Sequence, residues 1–273
     1  EQGVIDATYL KPDRHGLISA DDVVKSIKDN TVLVSVIFVS NEIGSVLPIR
    51  EIGKAIAELN TKQHYQIVFH TDAVQAFKHY NCHVAKLGVD LMTFSAHKIN
   101  GPKGIGALYV KSGTKLENLI EGGSQEYGMR PGTQNTTGII GFAEAVKLLG
   151  DFEAKQQSGE KIRELSNKLI KAVEKTKGFE INGPTGEWRA PDNVNFTIND
   201  MDQEMVIAKL DLAGFAVSTG SACVSGSTEP SHVILSLDKK YKDPSATVRV
   251  TLGKQNTEDE IDELIKELGG LKQ

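Results

Sequence analysis

Nowhere in its 273 residues does the chain approach the ~20 consecutive apolar positions that a membrane-spanning helix needs. The longest run, VLVSVIFV at 32–39, is short and β-branched, as in a buried strand. Cysteine is scarce. Cys82 and Cys223 are the only two, far apart, which makes neither a disulfide framework nor a zinc spacing and points to a reducing compartment. No sign of charge dominates: 31 Lys and Arg stand against 36 Asp and Glu, for a net charge of −5. That balance argues against a nucleic-acid face or an anionic membrane surface as default partner. Repeats and low-complexity segments are missing, and so is a signal or transit pattern at the front. The chain opens on Glu1 rather than Met, and VIDATYL at 4–10 already reads as a strand, so a truncated or processed front is expected.

What is present is ordinary globular composition, 39% hydrophobic and 25% charged, at a length that suggests about two domains. Strand-like and helix-like segments alternate through the first half. SADDVVKSIKD carries a capping pattern at Ser19 and Asp22. TVLVSVIFVS reads as a strand. LPIREIGKAIAEL places Ile49, Ile52, Ile56 and Leu59 on one helical face, with Pro48 near its first turn. YQIVFHTDA, VDLMTFSA and GIGALYV read as further strands. Such alternation predicts a mostly parallel sheet covered on both faces, with ligands bound at the carboxyl ends of its strands. Near residue 150 the composition shifts to a long charged amphipathic helix, then short strands at VNFTI and AVSTGS. The last helix, TEDEIDELIKEL, has a capping box at Thr257 and Glu260 and a stripe of Ile261, Leu264, Ile265 and Leu268. The expected division is residues 1–148 and 149–273.

The strand-end rule selects four groups: Asn41 and Glu42 in VSNEIG, Asp72 and Gln75 in FHTDAVQ, Ser95, His97 and Lys98 in SAHK, and Cys223 in STGSACVSGSTEPSHV. Singly, each has a plain reading as a helix cap, a solvated charge, a small buried hydrophobe or a linker. Their joint occurrence does not.

NEIG, HTDAVQ, SAHKINGPKG, GGSQEYGMRPGTQN, SACVSGSTEPSHV and the arginine of VRVTLGK occur here in the order found in cysteine desulfurases, and the chain resembles that family from about residue 15 to its end. These are class V aminotransferase relatives that use pyridoxal 5'-phosphate. The long loop around Cys223 resembles the NifS/IscS-like branch. The resemblance implies an α/β protein of the PLP-dependent transferase fold type I. Its large domain would hold the mostly parallel sheet, here N-terminally truncated, and a smaller C-terminal α/β domain would carry the cysteine loop.

Roles follow from the same resemblance. Lys98 would bind the cofactor covalently, which requires its amine to be neutral. Asp72 would face the pyridine nitrogen, Gln75 the phenolic oxygen, and Ser95 and His97 the phosphate. The glycines behind Lys98 would let backbone approach the cofactor. Asn41 would lie beside ring and substrate, and Arg249 would clamp the substrate carboxylate in a bidentate fork. Thr133 would reach the phosphate of a second subunit, which implies a homodimer. Cys223 would attack the sulfur of L-cysteine, becoming a persulfide that serves an acceptor such as an iron–sulfur scaffold. Cys82 is expected to be structural or incidental, and His70 and His232 are possible additions. The family's phosphate-binding Gly/Ala–Thr turn and ring-stacking histidine would precede this sequence, and Ser124 and Pro131 replace a common glycine and serine. Alternatives are another class V enzyme, a selenocysteine lyase or an aminotransferase, or an inactive homologue that acts through a partner. The expected compartment is the cytoplasm, or a mitochondrial matrix.

Overall fold

The computed structural model describes residues 5–62, 64–220, 231–237 and 244–271. In chain order its elements begin with α1 (Ala20–Ser26), β1 (Leu33–Ile37), α2 (Ile49–Asn60), β2 (Val68–Asp72), α3 (Val84–Leu87), β3 (Leu91–Ser95) and β4 (Gly106–Val110). They continue with α4 (Thr136–Leu149), α5 (Phe152–Lys175), β5 (Phe179–Ile181), β6 (Asn193–Asn199), α6 (Gln203–Leu212), α7 (His232–Ser236), β7 (Ser245–Thr251) and α8 (Glu258–Gly270). The chain divides into two compact units.

One unit comprises Ile27–Phe38 and Ile49–Lys155. Its sheet runs β1-β2-β3-β4, with β1, β2 and β3 parallel and β4 antiparallel to β3. Period-3.6 spacing puts Ile49, Ile52 and Ile56 of α2 in the core, while Glu51, Lys54 and Glu58 stay exposed. Ile67, Phe69 and Met92 are fully buried, and Phe77 meets Phe94 edge-on at 4.9 Å. Asp90 ties the strand starts together. Its carboxylate accepts from the Phe69 N–H at 3.0 Å and from Lys111 Nζ at 2.9 Å.

The other unit collects the described residues of Glu1–Ser26, Val39–Pro48 and Gln156–Gln273. Its sheet, β5-β6-β7, is wholly antiparallel. Val194, Phe196 and Ile198 of β6 and Ala246 and Val248 of β7 are fully buried. Leu169 and Val173 of α5, Val206 and Leu210 of α6, and Ile261, Leu264 and Leu268 of α8 close over them. The N-terminus of α8 is fixed by the expected box: Thr257 Oγ1 accepts from the Glu260 N–H, and Glu260 accepts from the Thr257 N–H. Ser19 and Asp22 make the same reciprocal pair before α1, with Asp in the acidic role.

Two strand expectations fail. VIDATYL forms no strand in its described residues, which join neither sheet, and Ile5 and Tyr9 are exposed. A strand persists only against a neighbour that takes its backbone groups, and none stands there among the described residues. AVSTGS supplies a single bridge, Ser218 to Arg249, rather than a strand.

Phe196→Ala should destabilise the antiparallel unit by about 3–5 kcal/mol, the usual cost of emptying a fully buried phenylalanine site. Thr257→Ala should cost about 1 kcal/mol through the lost cap. Urea unfolding of both variants checks the ranking, and equal costs would contradict this packing.

Candidate active site

Parallel pairing of β2 with β3 brings their carboxyl ends to one edge of the sheet. Asp72 is the last residue of β2 and Ser95 the last of β3. The Asp72 backbone is held from both sides: its carbonyl accepts from the Phe38 N–H at 2.9 Å, and the next N–H, of Ala73, donates to Thr93 at 3.1 Å. Its half-buried carboxylate accepts from the Val74 N–H at 2.8 Å, a local turn that fixes the side chain. Gln75 follows in that turn, also half-buried. His70 and Asp72 share one face of β2 by the two-residue period. The His70 Nδ1 bonds the Ser35 hydroxyl at 2.8 Å. Burial pushes His70 below its ordinary pKa, opposed by the charge of Asp72.

Beyond β3 the chain makes a 3-10 turn, Ala96–Ile99, that carries His97 and Lys98, both exposed. Ser95 Oγ and His97 Nδ1 lie 2.8 Å apart, a hydroxyl–imidazole hydrogen bond. The turn closes through the Gly101 N–H, which donates to the Ala96 carbonyl at 2.9 Å. Two of the glycines here serve packing, while a Cβ on Gly104, at φ +79°, would meet nothing within 4 Å. A Cβ on Gly101 would meet Ala96 and Ala145 at 3.0–3.1 Å, and one on Gly106 would meet the Phe94 carbonyl at 2.6 Å. The first lets the turn sit against α4, and the second lets β4 approach β3. Thr133 is exposed in the loop before α4.

Asn41 and Arg249 belong to the other unit, and that unit joins them. Arg249 Nη1 donates to the Asn41 carbonyl at 2.9 Å and Nη2 to Ser218 Oγ at 3.3 Å. The Asn41 side chain is exposed. The turn that carries Asn41 is gripped closely. The carbonyl of Glu42 accepts from both Asn193 Nδ2 and Asn195 Nδ2 at 3.0 Å, and the Ala190 N–H donates to Gly44 at 2.7 Å. Nearby Arg189, 2% exposed, donates to the carbonyls of Pro184, Asn182 and Asn193. Burial pulls its pKa down to about 10, so it remains charged at neutral pH. No role was read for Arg189 or Glu42 in the sequence, since the partners of both stand far off along the chain or bond through backbone carbonyls that any residue supplies.

Cys223 lies outside the described residues. Cys82 is half-buried, and burial pushes its thiol up to about 12 despite the neighbouring Lys155 charge. Lys155 is itself lowered by burial; its Nζ lies 4.1 Å from the centre of the Phe77 ring and donates to the Phe77 carbonyl at 3.1 Å. His232 is the exposed first residue of α7.

Residues 1–264 match the aminotransferase class-V family. The chain belongs to that family. It is 43% identical over 263 residues to the cysteine desulfurase IscS of Clostridium botulinum, covering 96% of this chain and 64% of that one. The chain thus spans just under two thirds of the length of such curated relatives. Among solved structures, a NifS-like protein superposes with a TM-score of 0.84 at 29% identity, over 97% of this chain and 67% of the other. A structure of SspA in complex with cysteine gives 0.74 at 32% identity, over 93% and 68%. The fold is therefore the NifS-like PLP-dependent transferase fold, as the motifs led one to expect. Among the described residues no helix is long and apolar enough to cross a membrane.

A thiol raised to about 12 stays protonated through the neutral range, and only the thiolate reacts. Cys82 should therefore resist iodoacetamide at pH 8 in the folded chain and react at an ordinary rate in urea. Peptide mass spectrometry reads the difference, and fast labelling of folded Cys82 would contradict its burial.

Proposed function

We propose that this chain acts as a pyridoxal-phosphate-dependent cysteine desulfurase of the NifS/IscS-like kind. It would convert L-cysteine to L-alanine, leave a persulfide on Cys223, and pass the sulfur to an acceptor such as an iron–sulfur scaffold or a thio-cofactor or tRNA pathway. The observation that carries the reading is the donor set at the carboxyl ends of β2 and β3. It holds a carboxylate (Asp72), an amide (Gln75), a bonded hydroxyl–imidazole pair (Ser95 and His97) and a primary amine (Lys98). Those groups suit, in turn, a pyridine nitrogen, a phenolic oxygen, a phosphate and an aldehyde. The 43% identity to a cysteine desulfurase and the cysteine held by a structural relative support the same substrate.

When bound, pyridoxal phosphate supplies an electron sink for bond changes next to the substrate α-carbon. Asp72 would keep a proton on the ring nitrogen, and Lys98 would hold the cofactor and move protons at the α-carbon. Arg249 would pair with the substrate carboxylate, and Asn41 would orient the substrate beside the ring. The Cys223 thiolate would attack the substrate sulfur. A sulfur–sulfur bond forms as the carbon–sulfur bond breaks, and the carbon takes a proton to give alanine. Exposed Thr133 would complete the phosphate site of a second copy. Exposed Leu119, Ile120, Ile140 and Leu148 on the same unit support a covered face there. The cofactor domain would run through residue 148 and the C-terminal domain from 149, in the cytoplasm.

The test is a visible absorption spectrum of the chain with pyridoxal phosphate, then L-cysteine. A band is expected that Lys98→Ala abolishes and that changes with L-cysteine as sulfide is released. Cys223→Ala should keep the band and lose sulfide release by orders of magnitude. A variant that still released sulfide at the full rate would overturn the persulfide step. A wild-type chain with no Lys98-dependent band would remove the cofactor from the reading.

A further inference from the structure

Strand β6 buries both of its faces in the antiparallel unit. Val194, Phe196 and Ile198 fill the core, and the alternate residues Asn193, Asn195 and Thr197 are also buried, on the opposite face. Asn195 is fully buried, and both ends of its amide are engaged. Its Oδ1 accepts from Asn182 Nδ2 at 2.8 Å, and its Nδ2 donates to the Glu42 carbonyl at 3.0 Å. In the ladder of β6 and β7, Asn195 stands directly opposite Arg249. Residues so paired project from the same face of a sheet. From there the two side chains reach consecutive carbonyls of one turn: Asn195 holds that of Glu42, and Arg249 Nη1 holds that of Asn41 at 2.9 Å. Arg249 Nη2 also donates to Ser218 Oγ at 3.3 Å.

We propose that Asn195 is a positioning residue for Arg249: it holds the turn of residues 40–46 against β7, so that the Asn41 carbonyl sets the plane of the guanidinium that meets the substrate carboxylate. The inference rests on the desulfurase reading for the partner of Arg249. A planar fork binds a carboxylate well only when it is aimed. An arginine side chain has many rotamers, and the Asn41 carbonyl and the Ser218 hydroxyl select among them before substrate arrives. The Asn41 carbonyl does this only while its turn keeps its place. Asn195 supplies the fixed point because its own backbone pairs with Arg249, so both side chains are measured from one rung of the ladder. Asn193 donates to the same Glu42 oxygen at 3.0 Å, but its ladder partner is Thr251 and its Oδ1 accepts from Arg189. A buried amide is costly unless both its ends are satisfied, as they are at Asn195.

The experiment compares Asn195→Ala, Asn195→Ser, Arg249→Ala and the double variant Asn195→Ala/Arg249→Ala in the full chain loaded with pyridoxal phosphate. Without Asn195 the turn keeps three ties: Asn193 to the Glu42 carbonyl, the Ala190 N–H to Gly44, and the Glu42 carboxylate to the Ser231 hydroxyl at 2.5 Å, 189 positions away. Asn195→Ala is therefore expected to fold. Asn195→Ser keeps a polar group too short to reach Glu42 and is the second variant. Expected in both is a KM for L-cysteine about tenfold higher with kcat within about twofold. Adding Asn195→Ala to Arg249→Ala should lower kcat/KM no further. A merely structural loss would shrink the active fraction and lower kcat at constant KM. Hydrogen exchange in 40–46 should quicken in Asn195→Ala, and the urea midpoint of the double variant should fall by less than the two single shifts combined. A wild-type KM in both Asn195 variants, a fall in kcat alone, or additive losses in the double variant would each overturn the proposal. If the wild-type chain releases no sulfide, the desulfurase reading fails separately. The urea midpoints then decide: additive shifts overturn the coupling of Asn195 to Arg249, and shifts that fall short of additive sustain it.

Discussion

The structure turns on the parallel pairing of three short strands around Asp72. Ile37 pairs with Asp72, and Asp72 with Thr93, so one residue sits in two ladders at once. Parallel strands must be joined by crossovers, and those crossovers put every strand end at one edge and the covering helices on the faces. A carboxylate at the end of the central strand is therefore placed by backbone bonds on either side before its own side chain does anything. The Val74 N–H then fixes the carboxylate. Lys98 reaches the same edge by following β3 with a 3-10 turn, whose tight closure depends on Gly101. The placement of Asp72 is thus a consequence of register, and a slip of one residue would turn it to the opposite face.

The second unit solves a different problem. Its residues 40–46 form a tight turn, with the Ser40 N–H donating to Ser45 and Gly44 to Ser40. Such a turn buries backbone carbonyls that no ladder satisfies, and each unpaired one would cost about 1–3 kcal/mol. Asn193 and Asn195 answer this by donating together to the Glu42 carbonyl. Arg189 does the same for Pro184, Asn182 and Asn193. Burying a guanidinium is expensive, which its pKa of about 10 registers, but its planar fork offers five donors that reach three separate backbone carbonyls.

Much of this was legible in the sequence where a signal is local. The box at Thr257 and Glu260, the α2 stripe of Ile49, Ile52 and Ile56, and strands β1 to β4 all follow from spacing within a dozen residues. VIDATYL and AVSTGS misled because β-branched composition measures fitness for a sheet and says nothing of whether a neighbouring strand is there to pair. The glycines behind Lys98 were visible, but the packing at two of them was not: Gly101 makes room for Ala145 and Gly106 for the Phe94 carbonyl, contacts made by the fold and not by the motif. Glu42 stood in plain view inside NEIG, yet its partner is 189 residues distant, and no periodicity reports such a contact.

The two carboxylates at strand ends show why their lengths differ. Asp72 accepts from a backbone N–H two residues on, a reach that an aspartate makes without strain and that a glutamate, one methylene longer, makes poorly. It is a group set by its own local chain, and it stays half-buried. Glu42 bonds nothing nearby with its carboxylate among the bonds just described. Its extra methylene spans to a hydroxyl on another element, and the surrounding core removes water from the pair. A short acid is fixed by its own local chain, whereas a longer acid reaches a hydroxyl on a distant element. The residue type at each position records which of the two constraints governs it.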